Sequence, residues 1–145
     1  MKRKFLWLFG ILVLMQFIRP DKNISGLLEL EHAEELKVSE EVKNLIKTSC
    51  SDCHSNNTNY PWYAEIAPIS WYLAYHVNDG KEHLNFSEWT DYNKNQKEHI
   101  LKDLKEQLED RNMPLKSYLF VHKNAKLTDR QYKLLLDWAD SIIIE

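Results

Sequence analysis

An all-α fold is what this sequence predicts, on three observations. The 145 residues include only 3 Gly and 4 Pro, so there are few places for tight turns. Apolar residues recur at helical spacing in several separate stretches, and no stretch shows a convincing period of two. The length suits one domain and is short for two.

Each helix has its own local warrant. The first runs from about Ser39 to Ser49: Ser39 can cap it, Glu40 and Glu41 suit the positive end of its dipole, and Val42, Leu45 and Ile46 share a face. The second spans roughly residues 69–77, with Ile69, Tyr72, Leu73 and His76 on one side and a stop near Gly80. The third covers about residues 93–110, with Ile100, Leu101, Leu104 and Leu108 at helical spacing. The last opens on a capping box of Thr128 and Gln131 and carries Tyr132, Leu135, Leu136, Trp138, Ile142 and Ile143 on a wide apolar face. A long loop is expected between Ser55 and Pro68.

The N-terminus reads differently. Lys2, Arg3 and Lys4 precede an almost unbroken apolar run from Phe5 to Ile18, the pattern of an export signal. No small-x-small cleavage pattern follows, so we read residues 1–19 as an uncleaved signal anchor. Residues 5–18 would then hold the body on the periplasmic side of the inner membrane, with a cleaved export signal as the alternative. Residues 20–37 read as a polar tether, in which Leu27, Leu28, Leu30 and Leu36 suggest a short helix, and residues 38–145 as the folded domain. With a net charge of -3 the chain has no basic field for nucleic acid.

The chemistry concentrates in Cys50-Ser51-Asp52-Cys53-His54. Two thiols separated by two residues match the spacing of the two vinyl groups of a haem. The histidine that follows lies where it can ligate the iron, so the pattern reads as attachment of one covalent haem c. Cys50 and Cys53 would form the thioethers and His54 the proximal iron bond. Two other readings compete. A redox dithiol would need a thioredoxin-like context, which is absent. A zinc site would need a further ligand, which His76 or His83 could supply.

For the distal side of the iron, Met113 is the first candidate, because it is the only methionine in the body and Pro114 fixes the loop that presents it. His76 is the alternative distal ligand. Hydrogen bonding suits His122 better, and His32, His83 and His99 read as solvated. The dense aromatics from Tyr60 to Trp89 suit either an ordinary core or the walls of a flat cofactor.

Beyond the cysteine motif, several separated segments resemble a known family. They are Ser55 to Tyr63, Ile66-Ala67-Pro68, His76-Val77, Phe86-Ser87-Glu88-Trp89, Met113-Pro114, Tyr118 and Leu127-Thr128. Together they resemble the small haem-binding domain family of bacterial membrane-anchored or exported proteins. The resemblance implies a cytochrome-c-like helical fold in which Cys50, Cys53 and His54 hold the haem, and it supports Met113 as the distal ligand less firmly. Electron transfer between extracytoplasmic redox partners is the expected function, a carrier's task more than an enzyme's. A haem-based gas or redox sensor is the alternative.

Overall fold

A computed structural model describes residues 2–24, 36 and 38–144. The described residues are all-helical, and their only strand-like pairing is an isolated bridge between Ile24 and Asn57. The helices are α1 (Lys2–Met15), α2 (Glu40–Ser49), α3 (Ser51–His54), α4 (Ile69–His83), α5 (Lys94–Glu109), α6 (Lys116–Val121) and α7 (Asp129–Ser141). Short 3-10 turns lie at Trp62–Glu65, Phe86–Asp91 and Lys123–Ala125.

Caps set several of these boundaries. The Ser39 side chain accepts from the Val42 N–H at the start of α2. Asn93 with Gln96, and Thr128 with Gln131, form complete capping boxes on α5 and α7, so both helices begin where side chains satisfy otherwise orphaned N–H groups. The end of α5 is a Schellman turn: Asn112 N–H donates to the Gln107 carbonyl (3.0 Å) and Arg111 N–H to Leu108 (3.2 Å). Arg111 takes the left-handed conformation this turn needs, at φ 54°.

The core lies where α2, α5 and α7 meet. Val42, Leu45 and Ile46 pack with Ile100, Leu101 and Leu108, and with Leu135, Trp138 and Ala139. Leu84, Phe86, Trp89 and Leu127 close the cluster from the connecting segments. The 3.6-residue period accounts for this arrangement, since each helix turns one apolar stripe inward.

The structure extends and revises several sequence expectations. Helix α4 does not stop near Gly80 but runs through it to His83. Gly80 is there for close approach: a Cβ on it would lie 2.9 Å from the Cys53 carbonyl oxygen. At the other end of the chain, α7 stops at Ser141 and leaves Ile143 exposed. The expected short helix over Leu27, Leu28 and Leu30, and His32, lie outside the described residues. Leu36 is buried in the core, and its carbonyl accepts from Trp138 Nε1–H (3.3 Å).

The N-terminal expectation is corrected. Among the described residues no helix is long and apolar enough to cross a membrane. Helix α1 has 14 residues, and its first three are Lys2, Arg3 and Lys4. At 1.5 Å per residue it spans about 21 Å, against a bilayer core of about 30 Å. After Met15 the chain turns onto the body. The Gln16 side chain donates to the Ala67 carbonyl (3.1 Å) and accepts from Ala67 N–H (3.0 Å), and Trp71 Nε1–H donates to the Ile18 carbonyl (2.7 Å). A membrane-anchor helix over residues 5–18, and the periplasmic, inner-membrane location derived from it, therefore do not stand.

Candidate functional site: the cysteine-histidine helix and its two cavities

Helix α3 is a single turn that carries Cys53 and His54, with Cys50 as its N-cap residue. It follows α2 almost without a break, and Cys50 N–H still donates to the Ile46 carbonyl (2.9 Å). The Cys50 carbonyl then accepts from both Cys53 N–H (3.1 Å) and His54 N–H (3.0 Å), and this closes the turn that brings the two thiols and the imidazole together. Two serines brace it: Ser51 Oγ–H donates to Ile46 O (3.0 Å) and Ser55 Oγ–H to Ser51 O (2.7 Å).

His54 is oriented by one bond. Its Nδ1 lies 2.9 Å from the Leu84 carbonyl, which can only accept, so Nδ1 carries the proton and Nε2 keeps its lone pair. Burial pushes the His54 pKa below its ordinary value, and the Leu84 bond opposes that only in part, so the ring is neutral at pH 7. A neutral imidazole whose far nitrogen donates to a backbone carbonyl is the usual state of a metal-ligating histidine.

The thiols are free, and each is half-buried. Burial pushes the Cys50 thiol up to about 12, with the neighbouring Cys53 adding to the shift. It pushes Cys53 up to about 11, with Asp52 adding. Both are therefore protonated at neutral pH, unlike the low-pKa thiolate of a redox dithiol.

Two cavities meet α3 from different sides. One, about 410 Å³, is lined by Cys50, His54, Met113 and Pro114, with Phe86, Ile100, Leu104 and Leu108 as apolar walls. The other, about 390 Å³, is lined by Asp52 and Cys53, by Leu73, His76 and Val77 of α4, and by Leu115, Tyr118 and His122. Both volumes fall in the range of small-molecule and cofactor sites. Of the two candidates for the far side of an iron, Met113 thus shares a cavity with His54. His76 lines the other cavity, with its Nδ1 2.9 Å from the Tyr72 carbonyl and its ring against Tyr72.

Several residues position the site through contacts that the sequence did not indicate. Tyr132 Oη–H donates to the Met113 carbonyl (3.0 Å) and so ties the methionine loop to α7. Arg111 sits over the Tyr132 ring, 5.2 Å from its centroid, and pairs with Asp129 (2.7 Å). Tyr118 Oη–H donates to the Asp52 carboxylate (2.7 Å), and so fastens α6 to the residue between the two thiols. Burial, then that bond, pushes the Tyr118 phenol well above its ordinary range. The resemblance to a family marked Ser87 and Glu88 without giving them a task. The structure shows one: Asn56 N–H donates to Ser87 Oγ (3.0 Å) and its side chain to Glu88 (3.0 Å), while buried Asn85 donates to Asn56 Oδ1 (2.9 Å). This network pins the loop after His54 to the segment that supplies the Leu84 carbonyl.

The donor set suits an iron porphyrin. There are two protonated thiols, one neutral imidazole with its Nδ1 already bonded, and a thioether and apolar walls lining the same cavity as the imidazole. Among the described residues, no three His, Cys, Asp or Glu side chains converge to hold a metal ion by themselves. No curated protein and no solved structure matches the chain. The sequence model of the haem-binding domain family matches residues 10–141, nearly the whole length, and the chain belongs to that family.

Proposed function

We propose that this haem-binding protein carries a single haem c, attached through Cys50 and Cys53, and that it serves as an electron carrier with a cytochrome-c-like arrangement of helices. One observation carries the reading. His54, with its Nδ1 proton committed to Leu84, lines the same cavity as Cys50 and Met113, so one space collects an imidazole, a thiol and a thioether.

Each residue has a distinct task. Cys50 and Cys53 would hold the porphyrin through two thioethers, each S–H adding across one vinyl group with no atom lost. Because Cys50 lines one cavity and Cys53 the other, a porphyrin joined to both must reach both. His54 supplies Nε2 to the iron, and the Leu84 bond raises its basicity. Met113 would offer the iron a thioether sulfur, its loop held by the Schellman turn, Pro114 and the Tyr132 bond to its carbonyl. When bound, the haem supplies a one-electron ferric/ferrous couple, whose potential His/Met ligation raises. Phe86, Ile100, Leu104 and Leu108 keep water from one face.

A redox titration of two variants tests the assignment. Met113→Ala is expected to lower the reduction potential markedly and to open the ferrous iron to carbon monoxide. His76→Ala is expected to leave both unchanged. The reverse pattern would move the distal role to His76. Carbon monoxide binding by the unaltered protein would favour a gas sensor over a carrier.

A further inference from the structure

We infer that α6 and the turn after it form the docking face for a protein redox partner, and that the partner's matching surface is acidic around a small apolar centre. This rests on the electron-transfer reading and adds the partner's chemistry to it.

The first observation is charge segregation. The chain as a whole is at -3, yet residues 114–128 contain Lys116, Lys123 and Lys126 and no Asp or Glu. The stretch thus carries +3 against the sign of the whole. All three lysines are exposed, and among the described residues none pairs with a carboxylate. The nearest acidic group along the chain, Asp129, is already bound to Arg111.

The second observation is apolar exposure at the same place. Phe120 is 76% exposed and Val121 51%, and the Lys123 ammonium lies 5.4 Å from the centroid of the Phe120 ring. Two large exposed apolar side chains in a lysine-bearing segment, one with an ammonium beside its ring, match the make-up of a protein interface, whose centre is apolar and whose rim is polar. The apolar area is small, which suits a transient partner that must leave after each electron.

The third observation is position. Val121 and Tyr118 line the cavity that also holds Cys53, and Tyr118 is bonded to Asp52. The segment that carries the lysines therefore also supplies part of the wall of the cavity beside Cys53. A partner docked there is brought to the cofactor's edge, and the local field steers acidic surfaces toward it.

The experiment uses the haem-loaded full chain, its ferrous form oxidised by two small probes of opposite charge, ferricyanide and tris(phenanthroline)cobalt(III). If electrons leave through the lysine face, ferricyanide oxidation slows several-fold as salt rises from about 0.01 M to about 1 M, where the screening length falls from about 30 Å to about 3 Å. The cobalt complex shows the opposite trend. Net charge alone gives both trends with the signs exchanged, and that result would overturn the docking face. The triple variant Lys116→Glu, Lys123→Glu, Lys126→Glu is expected to slow ferricyanide at least tenfold at low salt with its haem spectrum intact, and an unchanged rate would overturn the face too. Added poly-L-glutamate is expected to slow oxidation of the unaltered protein and not of the variant. Binding to phosphatidylglycerol vesicles that the triple variant abolishes would assign the face to a lipid surface instead, also against the inference. A chain that matures without haem would sink the cofactor reading itself, a failure visible in the spectrum before any rate is taken.

Discussion

At the scale of single residues, the site depends on contacts too close to tolerate one added atom. Gly80 is the clearest case. Its missing Cβ lets α4 lie against the Cys53 backbone, where a methyl group would sit 2.9 Å from a carbonyl oxygen that cannot rotate away. Gly80→Ala gains about 1 kcal/mol of helix propensity but forces the two helices apart, at a cost of about 1–3 kcal/mol. A net loss of stability is expected, read as a lower urea midpoint together with a lower haem yield. The thiols make a second prediction. Their folded pKa values, about 12 and about 11, lie above the ordinary value of 9.0. The unfolded chain therefore loses thiol protons first as pH rises. The stability due to the buried neutral thiols is complete below pH 9 and declines as pH climbs from there toward 11 and 12. The haem-free chain should lose urea stability between pH 9 and pH 11 more steeply than the haem-loaded chain, whose thioethers carry no proton. Equal slopes would mean that the thiols are free to titrate in the folded state, or are never joined to haem.

At the scale of elements, caps decide where helices start, and this sets the site's geometry because the Met113 loop lies between the end of α5 and the start of α6. Thr128→Ala removes one half of the α7 capping box and should cost about 1 kcal/mol, with haem content unchanged. Tyr132→Phe should cost a similar amount and also shift the reduction potential, because it frees the Met113 carbonyl. A loss of stability with no shift in potential would show that Tyr132 does not position the loop. The elements also show what was legible in the sequence. The faces of α2 and α5 and the cap of α7 could be read because periodicity and capping are local properties. Helix α4 was read too short because Gly80 looks like a stop signal, and only its packing on Cys53 reveals the other use of glycine. The one-turn α3 and the six-residue α6 are too brief to show a period. The cysteine-histidine motif could be picked out because its five residues are contiguous in the chain. The partners of His54, Asp52 and Met113, namely the Leu84 carbonyl and the hydroxyls of Tyr118 and Tyr132, lie 30, 66 and 19 positions away along the chain, where sequence carries no sign of contact.

At the scale of the whole molecule, the body and the N-terminal helix contribute differently. The apolar side chains of α1 are exposed, Trp7 at 75%, and none belongs to the core. The segment after α1 is held to the body. Asn23 donates to Ser55 and Thr58 and accepts from Lys81, and Arg19 and Lys22 pair with Glu65. A chain lacking residues 1–15 should therefore keep its haem and its urea midpoint within error, whereas removal of residues 1–24 should lower the midpoint. The central claim is that the motif on α3 holds haem covalently. The most direct test is a pyridine haemochrome spectrum of the denatured, acid-acetone-washed protein, produced in a host that attaches haem c, beside Cys50→Ala and Cys53→Ala. The expected result is a c-type spectrum at one haem per chain, with the band displaced toward that of a free vinyl group in either single variant. A washed protein that is colourless despite competent maturation would contradict covalent attachment and leave a haem held by His54 and the cavity walls alone.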